Sequence, residues 1–320
     1  MPIYTTAMSK PRKPFRLYKL VLMLFLGLVL YLGVSLGFAT FPIAMVLHNT
    51  GDCPAGAALS AIHQYEIHWK TLMAGGKIRR IGQTPDGLQQ WTTPMGDFWA
   101  PEKTWVGFVV TEQLLRIYGD GPRRVQPGDV VIDCGANIGT FTREALLAGA
   151  SKVVAVEPSP QNVECLRRTF KQEIAAGKVH IAPVGVWDKD DKLVLTVFDN
   201  SALDSFVMSQ RSEEAQPAKP RTVEVAVTTV DKLAAELKLD RVDFIKMDIE
   251  GAERNALRGA AGIIRQFRPR MSIATENLDD DYLVVPKVIA EIDPKYRTSC
   301  GRCATKGIAS IRPDVLFFQP

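Results

Sequence analysis

An unbroken apolar strand that runs into an acid, a glycine turn and a helix constrains this chain more than any other feature. It is Val130-Val131-Ile132-Asp133-Cys134-Gly135-Ala136-Asn137-Ile138-Gly139-Thr140-Phe141-Thr142. A strand buried on both faces reads as continuous hydrophobic sequence, and open parallel α/β sheets bind ligands at the carboxyl ends of such strands. Gly135 and Gly139 leave room there for backbone to approach a ligand. A helix starting at Gly139 points free N–H groups and a positive dipole end into the same crevice.

The turn departs from the dinucleotide fingerprint, G-x-G-x-x-G, because Asn137 stands where the second glycine belongs. That glycine lets backbone approach a pyrophosphate, so a nicotinamide cofactor is disfavoured. A ligand with an amino acid end can use the Asp133 carboxylate instead, and S-adenosylmethionine is such a ligand. A second strand, Lys152 to Val156, ends at Glu157, placed to accept from both hydroxyls of a ribose. Acids at two neighbouring strand tips are more specific than either alone.

Strands and helices then alternate: a helix over Pro160 to Ala176, a third strand over Lys178 to Val184, and a short added strand over Leu193 to Phe198. This periodicity predicts a parallel sheet. Asp199 to Arg221 is polar and reads as a lid or surface loop before Val223 to Val227. The next buried strand carries Val242-Asp243-Phe244-Ile245-Lys246-Met247-Asp248-Ile249-Glu250-Gly251-Ala252-Glu253 to the same crevice. Asp248 or Glu250 is suited to act as general base toward a hydroxyl or to hold a divalent cation that lowers the hydroxyl's pKa. Glu253 fits equally well as a simple companion of a helix's first turn. Lys246 needs a carboxylate partner if buried. A fifth strand, Met271 to Thr275, delivers Glu276, suited to catalysis or, with Asp248, to a metal. Asp314 to Phe318 reads as a final hairpin partner.

Charge and hydropathy place an appendage at the start of the chain. The 320 residues carry 39 basic and 35 acidic side chains. Lys10, Arg12, Lys13, Arg16 and Lys19 precede the first acid, and removing those five leaves 34 basic against 35 acidic. The basicity therefore belongs to a tail, which argues against a nucleic-acid groove. The 28 residues from Leu20 to Leu47 are uncharged, and a helix that long exceeds the roughly 30 Å bilayer core. The expectation is a single-pass membrane anchor, longer than the roughly 7–15 apolar residues of a signal peptide. The cations place the N-terminus in the cytoplasm and the catalytic part beyond the membrane. A cytosolic methyl donor argues for the opposite side.

The aromatic-rich stretch before the first core strand holds Trp91, Phe98, Trp99 and Trp105. The favoured reading is a cap packed on an edge of the sheet, with the lining of an acceptor pocket as the alternative. Glu112 to Tyr118 reads as a helix. The five cysteines are too few and scattered for a disulfide framework. Cys300-Gly301-Arg302-Cys303 has redox or zinc spacing, but no further ligands follow, so a turn is expected. His63 and His68 read as surface or packing residues.

Val130 to Thr142, Glu157-Pro158 and above all Asp243 to Glu253 resemble the FkbM-type S-adenosylmethionine-dependent methyltransferases, over about Trp91 to Pro320. The resemblance implies a class I methyltransferase (Rossmann-like) α/β fold, with a seven-stranded, mostly parallel sheet and helices on both faces. It also implies methyl transfer mainly to oxygen of a sugar, glycan or metabolite. Carried over, Asp133, Gly135, Asn137, Gly139 and Thr140 would meet the methionine and sugar portions of the cofactor, Glu157 the ribose, and Asp188 the adenine. Asp248, Glu250, Glu276 and Lys246 are the catalytic candidates. Family members often carry His where Asn277 stands here, which shifts weight to Asp248 and Glu276. The expected organisation is a basic tail (1–19), a membrane segment (20–47), a linker and cap (48–125) and a methyltransferase domain (126–320). A catalytically silent anchored binding module is the second reading.

Overall fold

The computed structural model describes residues 17–35, 40–47, 53–54, 56, 58, 76–197, 221–306 and 310–320. Ahead of the main sheet, β1 (Arg79–Gln83), β2 (Gln89–Thr93) and β3 (Gly96–Ala100) form an antiparallel meander. The strands that follow are β4 (Val130–Cys134), β5 (Lys152–Val156), β6 (Val179–Ala182), β7 (Gly185–Val186), β8 (Asp191–Val197), β9 (Arg221–Thr228), β10 (Phe244–Met247), β11 (Arg270–Ala274), β12 (Arg297–Cys300), β13 (Cys303–Lys306), β14 (Ser310–Pro313) and β15 (Val315–Gln319). The helices are α1 (Leu17–Ser35), α2 (Thr40–Val46), α3 (Val106–Leu114), α4 (Thr140–Leu147), α5 (Pro160–Thr169), α6 (Lys171–Ala175), α7 (Val230–Glu236), α8 (Glu253–Arg258), α9 (Ala261–Phe267) and α10 (Asp281–Ile292).

The central sheet has seven strands in the order β12-β15-β11-β10-β4-β5-β6. The pairs from β11 to β6 are parallel, and β15 is antiparallel to both its neighbours. This is the class I methyltransferase arrangement that the resemblance implies. Every residue of β4 and β10 is buried, which is why both read as continuous apolar runs. Helices α7 to α10 pack on one face around Ile245, Leu257, Ile264 and Ile289. Helices α3, α4 and α5 cover the other through Val110, Phe141 and Leu166.

Several boundaries differ from the expected ones for local reasons. The single helix over Pro160 to Ala176 breaks at Phe170, whose ring is fully buried. The helix expected over Glu112 to Tyr118 lies earlier, over Val106–Leu114, and Tyr118 follows a left-handed Arg116 (φ 55°). The meander was not foreseen, because Arg79, Arg80, Gln83, Gln89 and Gln90 do not alternate with apolar residues. It packs as a cap on α5: Phe98 is fully buried, Trp99 N–H donates to Thr169 Oγ1 (2.9 Å), and Arg168 lies over the Trp99 ring (5.2 Å). The expected lid over Asp199 to Arg221 falls outside the described residues except Arg221, which opens β9. His63, His68 and the cationic tail before Leu17 lie outside them as well.

The membrane helix expected over 20–47 is not found. Within that run the described residues form α1, of 19 residues, and α2, of 7, and residues 36–39 lie outside the described residues. Among the described residues no helix is long and apolar enough to cross a membrane.

The reading of the cysteines also needs correction. Cys53 and Cys303 form a disulfide across a sequence separation of 250 residues, while Cys134, Cys165 and Cys300 are free thiols. The bond joins the segment after α2 to the β13–β14 hairpin, and Ala44, Ala58 and Ile311 pack around it. Sequence spacing concealed the pairing because the partners meet only through the fold.

Candidate active site

The carboxyl ends of β4, β5 and β10 open into a cavity of about 280 Å³. Its wall includes Gly135, Asn137, Thr140, Glu157, Lys246, Asp248, Glu250 and Glu276, so most of the sequence candidates share one site. Asp133, Gly139 and Asp188 are not on that wall: Asp133 has no exposed surface, and Asp188 lies exposed outside it.

Register explains the position of Asp133. In the parallel pairing of β4 with β10, Asp133 lies directly beside Lys246, and one-residue register fixes both side chains on the same face. Lys246 Nζ stands 3.5 Å from Asp133 Oδ1, while Asp133 Oδ2 accepts from Thr142 Oγ1 (2.7 Å). The ammonium also donates to Gly135 O (2.9 Å) and reaches toward Cys134 O (3.4 Å), and it lies over the Tyr118 ring at 5.1 Å. Burial works against its charge, but Asp133 and Asp248 outweigh that cost and hold the lysine pKa above its ordinary value. Lys246 therefore ties the glycine turn to the neighbouring strand. Its donors are turned toward the protein.

The turn is left-handed at three alternate residues, Gly135 (φ 78°), Asn137 (φ 52°) and Gly139 (φ 92°). Asparagine tolerates that conformation better than most residues, and its own Oδ1 accepts from Ile138 N–H (2.6 Å). Asn137 thus meets the backbone demand of the missing glycine. The two glycines make room for protein rather than for ligand. A Cβ on Gly135 would stand 1.9 Å from Asp248 O, and one on Gly139 would stand 2.2 Å from the Phe170 ring.

Glu157 is 4% exposed and organises the turn. Its Oε2 accepts from Asn137 N–H (2.8 Å), and its Oε1 accepts from Ser159 N–H (2.9 Å) and Asn162 Nδ2 (3.3 Å). Burial raises its pKa, and these donors with Lys246 work against the rise. A carboxylate offers about four acceptor positions. Three are taken, which leaves room on Oε2 for one hydroxyl rather than the two expected.

Asp248 follows β10, and its Oδ2 accepts from Tyr118 Oη at 2.5 Å. Tyr118 is buried, with its ring edge-to-face on Phe141 (5.7 Å), which stacks on Phe244 (6.0 Å). Burial, then Asp248 and Glu112, push the phenol pKa well up, so Tyr118 keeps its proton and acts as donor. Sequence reading missed this partner, since 130 residues separate the pair. It also missed Glu112, which lines the cavity and whose pKa is raised well above normal by burial and by Glu276, Asp248 and Asp314. Of the aromatics in the preamble, Phe98 and Trp99 belong to the cap, while Trp105 lines the cavity.

Glu253 is fully buried and away from the cavity wall. Its Oε1 accepts from Ile249 N–H (2.9 Å) and Asn277 Nδ2 (3.0 Å). It joins the loop after β10 to the end of β11. Asn277, at the family's histidine position, takes part in the same link. Among the described residues, no three His, Cys, Asp or Glu side chains are arranged to hold a metal ion.

Sheet order, the reversed β15 and a ligand-sized cavity at the parallel strand tips together define a class I methyltransferase-like architecture. The chain belongs to the methyltransferase FkbM domain family, whose profile matches residues 133–294. Curated relatives include "Methyltransferase 1" of Beauveria bassiana (strain ARSEF 2860), 28% identical over 143 residues, which covers 40% of this chain and 57% of the relative. "Methyltransferase sdnD" of Sordaria araneosa is 28% identical over 153 residues, covering 40% and 59%. The chain thus spans less than two thirds of these relatives. Among solved structures, methyltransferase FkbM from Methylobacillus flagellatus KT aligns at 20% identity with a TM-score of 0.45, covering 66% of this chain and 53% of that one.

Proposed function

We propose that this protein is an S-adenosylmethionine-dependent methyltransferase that methylates a hydroxyl of a sugar, glycan or metabolite. The observation that carries the reading is one cavity whose wall holds the Glu157 carboxylate, the left-handed turn and Asp248 together. The residues fit the cofactor. Glu157 retains an acceptor position for a ribose hydroxyl, and Asn137 and Thr140 line the same wall.

The bound cofactor supplies an activated methyl group on a sulfonium, so the protein's task is alignment and removal of one proton. Asp248 takes the proton of the acceptor hydroxyl. Tyr118 fixes the carboxylate through Oδ2 and leaves Oδ1 for the substrate. Lys246, held by Asp133, keeps the turn and β10 in register. The test is incubation of the purified chain with cofactor bearing a tritiated methyl group and with hydroxylated acceptors. Label that product mass spectrometry places on a hydroxyl oxygen is an ether, as proposed; label on nitrogen, or alkali-labile label marking a carboxyl ester, would refute oxygen-ether transfer.

Membrane association belongs to the same proposal. The described side chains of α1 from Val21 to Tyr31 are all exposed, and none is charged. A helix apolar on every side is out of place in water. The five preceding cations favour an anionic lipid surface. The Cys53–Cys303 bond supports placing the catalytic part on an oxidising side. Co-flotation with anionic liposomes that is lost on deletion of residues 1–35 supports the association; flotation unaffected by the deletion opposes it.

A further inference from the structure

The cavity-facing side of α3 has no part in the cofactor reading. Trp105, Phe108, Val109, Glu112 and Gln113 all line the cavity, at the spacing of one helix face. Trp105 and Phe108 are 62% and 39% exposed and meet edge-to-face at 6.4 Å, forming an aromatic lip. Glu112 and Gln113 come next along the helix. Gln113 is only 4% exposed, yet its side-chain Oε1 is buried with no hydrogen-bond partner. A buried carbonyl oxygen left this way is costly unless a ligand supplies the donor.

Carboxylates gather around the same space. Asp248 and Glu276 line it with Glu112, and Asp314 is near enough to act on Glu112 electrostatically. Burial and these neighbours together raise the Glu112 pKa, so a cation seated among these carboxylates is what favours ionised Glu112. Lys246, the lysine on the cavity wall, is turned toward Asp133 and Gly135. A ligand bringing positive charge and N–H donors relieves this crowding, whereas a phosphate or carboxylate intensifies it.

We propose that the wall formed by Glu112, Gln113, Asp248 and Glu276 selects an acceptor with a protonated amine beside the hydroxyl to be methylated, an amino sugar or related amino alcohol. Trp105 and Phe108 cover the apolar face of that acceptor, and Gln113 Oε1 and Glu112 accept from its ammonium. The inference rests on the methyltransferase reading and gives its acceptor a charge.

The experiment uses the full chain saturated with S-adenosylhomocysteine, with glucosamine, N-acetylglucosamine and glucose as probes in saturation-transfer NMR titrations. Glucosamine should bind about tenfold more tightly than the two neutral sugars, as one favourable charged contact provides. In Glu112→Gln that preference should shrink toward parity. Gln113→Leu, which removes the buried acceptor without altering charge, should weaken glucosamine alone. Equal affinity for the three sugars in the unaltered protein, or no detectable glucosamine binding, overturns the inference whatever the variants do. Titration of S-adenosylhomocysteine comes first and separates two failures. Its absence of binding defeats the cofactor reading and this inference with it, while binding without amine preference defeats the amine proposal alone.

Discussion

Replacing Glu253 by Gln should abolish an alkaline weakness built into the fold. Glu253 has no exposed surface, and while Oε1 accepts from Ile249 and Asn277, its Oε2 is buried with no partner. Burial first, with Asp248 and Asp281 adding to it and the Ile249 N–H opposing, pushes its pKa from 4.5 up to about 8. The folded protein therefore keeps this proton at neutral pH. Because the folded pKa lies above the unfolded one, the stabilising contribution is complete below the unfolded value. It is lost as pH rises through the folded value. Each tenfold change in proton affinity is worth about 1.4 kcal/mol, so the loss across that window is on the order of several kcal/mol. Glutamine has the shape of the protonated acid, keeps both Oε1 contacts and cannot ionise. Urea unfolding at about pH 5 and about pH 9 should give the two proteins similar stability at the lower pH. At the higher pH the variant should lead by about 2 kcal/mol or more. Parallel loss of stability in both proteins between the two pH values would refute the buried-proton account.

Other predictions follow from single contacts. Asp248→Asn should leave cofactor affinity within about twofold and cut kcat by about 100-fold or more, the usual range for removal of a general base; rapid-quench turnover checks it. Tyr118→Phe should lower kcat about tenfold with the cofactor KM unchanged, by freeing the Asp248 carboxylate from its 2.5 Å donor; a change in KM alone would contradict the positioning role. Gly139→Ala places a Cβ 2.2 Å from Phe170 at φ 92°, so the melting temperature should fall and cofactor binding should weaken with it. Cys303→Ser opens a cross-link spanning 250 residues and should cost about 2–5 kcal/mol of stability; identical melting of the two proteins without reductant would show that the bond contributes nothing.

The central sheet was legible because its buried strands, Val130 to Cys134 and Phe244 to Met247, carry little but apolar residues, and their tips carry acids. Asn137 was read as a departure from a glycine pattern, and its left-handed backbone shows why asparagine suffices there. The distant partnerships were not legible. Tyr118 with Asp248, Cys53 with Cys303, and Glu112 with the carboxylates of β10 and β11 are joined only by tertiary packing, which leaves no periodic trace in sequence. Asp133 shows the converse. Its place at a strand tip suggested direct contact with a ligand, but β4–β10 register turns it toward Lys246. Similarly, 28 uncharged residues satisfied a length criterion for a membrane span, yet among the described residues no helix is long and apolar enough to cross a membrane.

The most direct test of the account is calorimetric titration of the full chain with S-adenosylmethionine, beside Glu157→Ala and with NADH as control ligand. The account predicts saturable binding of S-adenosylmethionine, at least about tenfold weaker in the variant from loss of a charge-assisted hydroxyl contact and of the turn's anchor, and no binding of NADH. Failure of the folded protein to bind S-adenosylmethionine, or equal affinity in the variant, would contradict it.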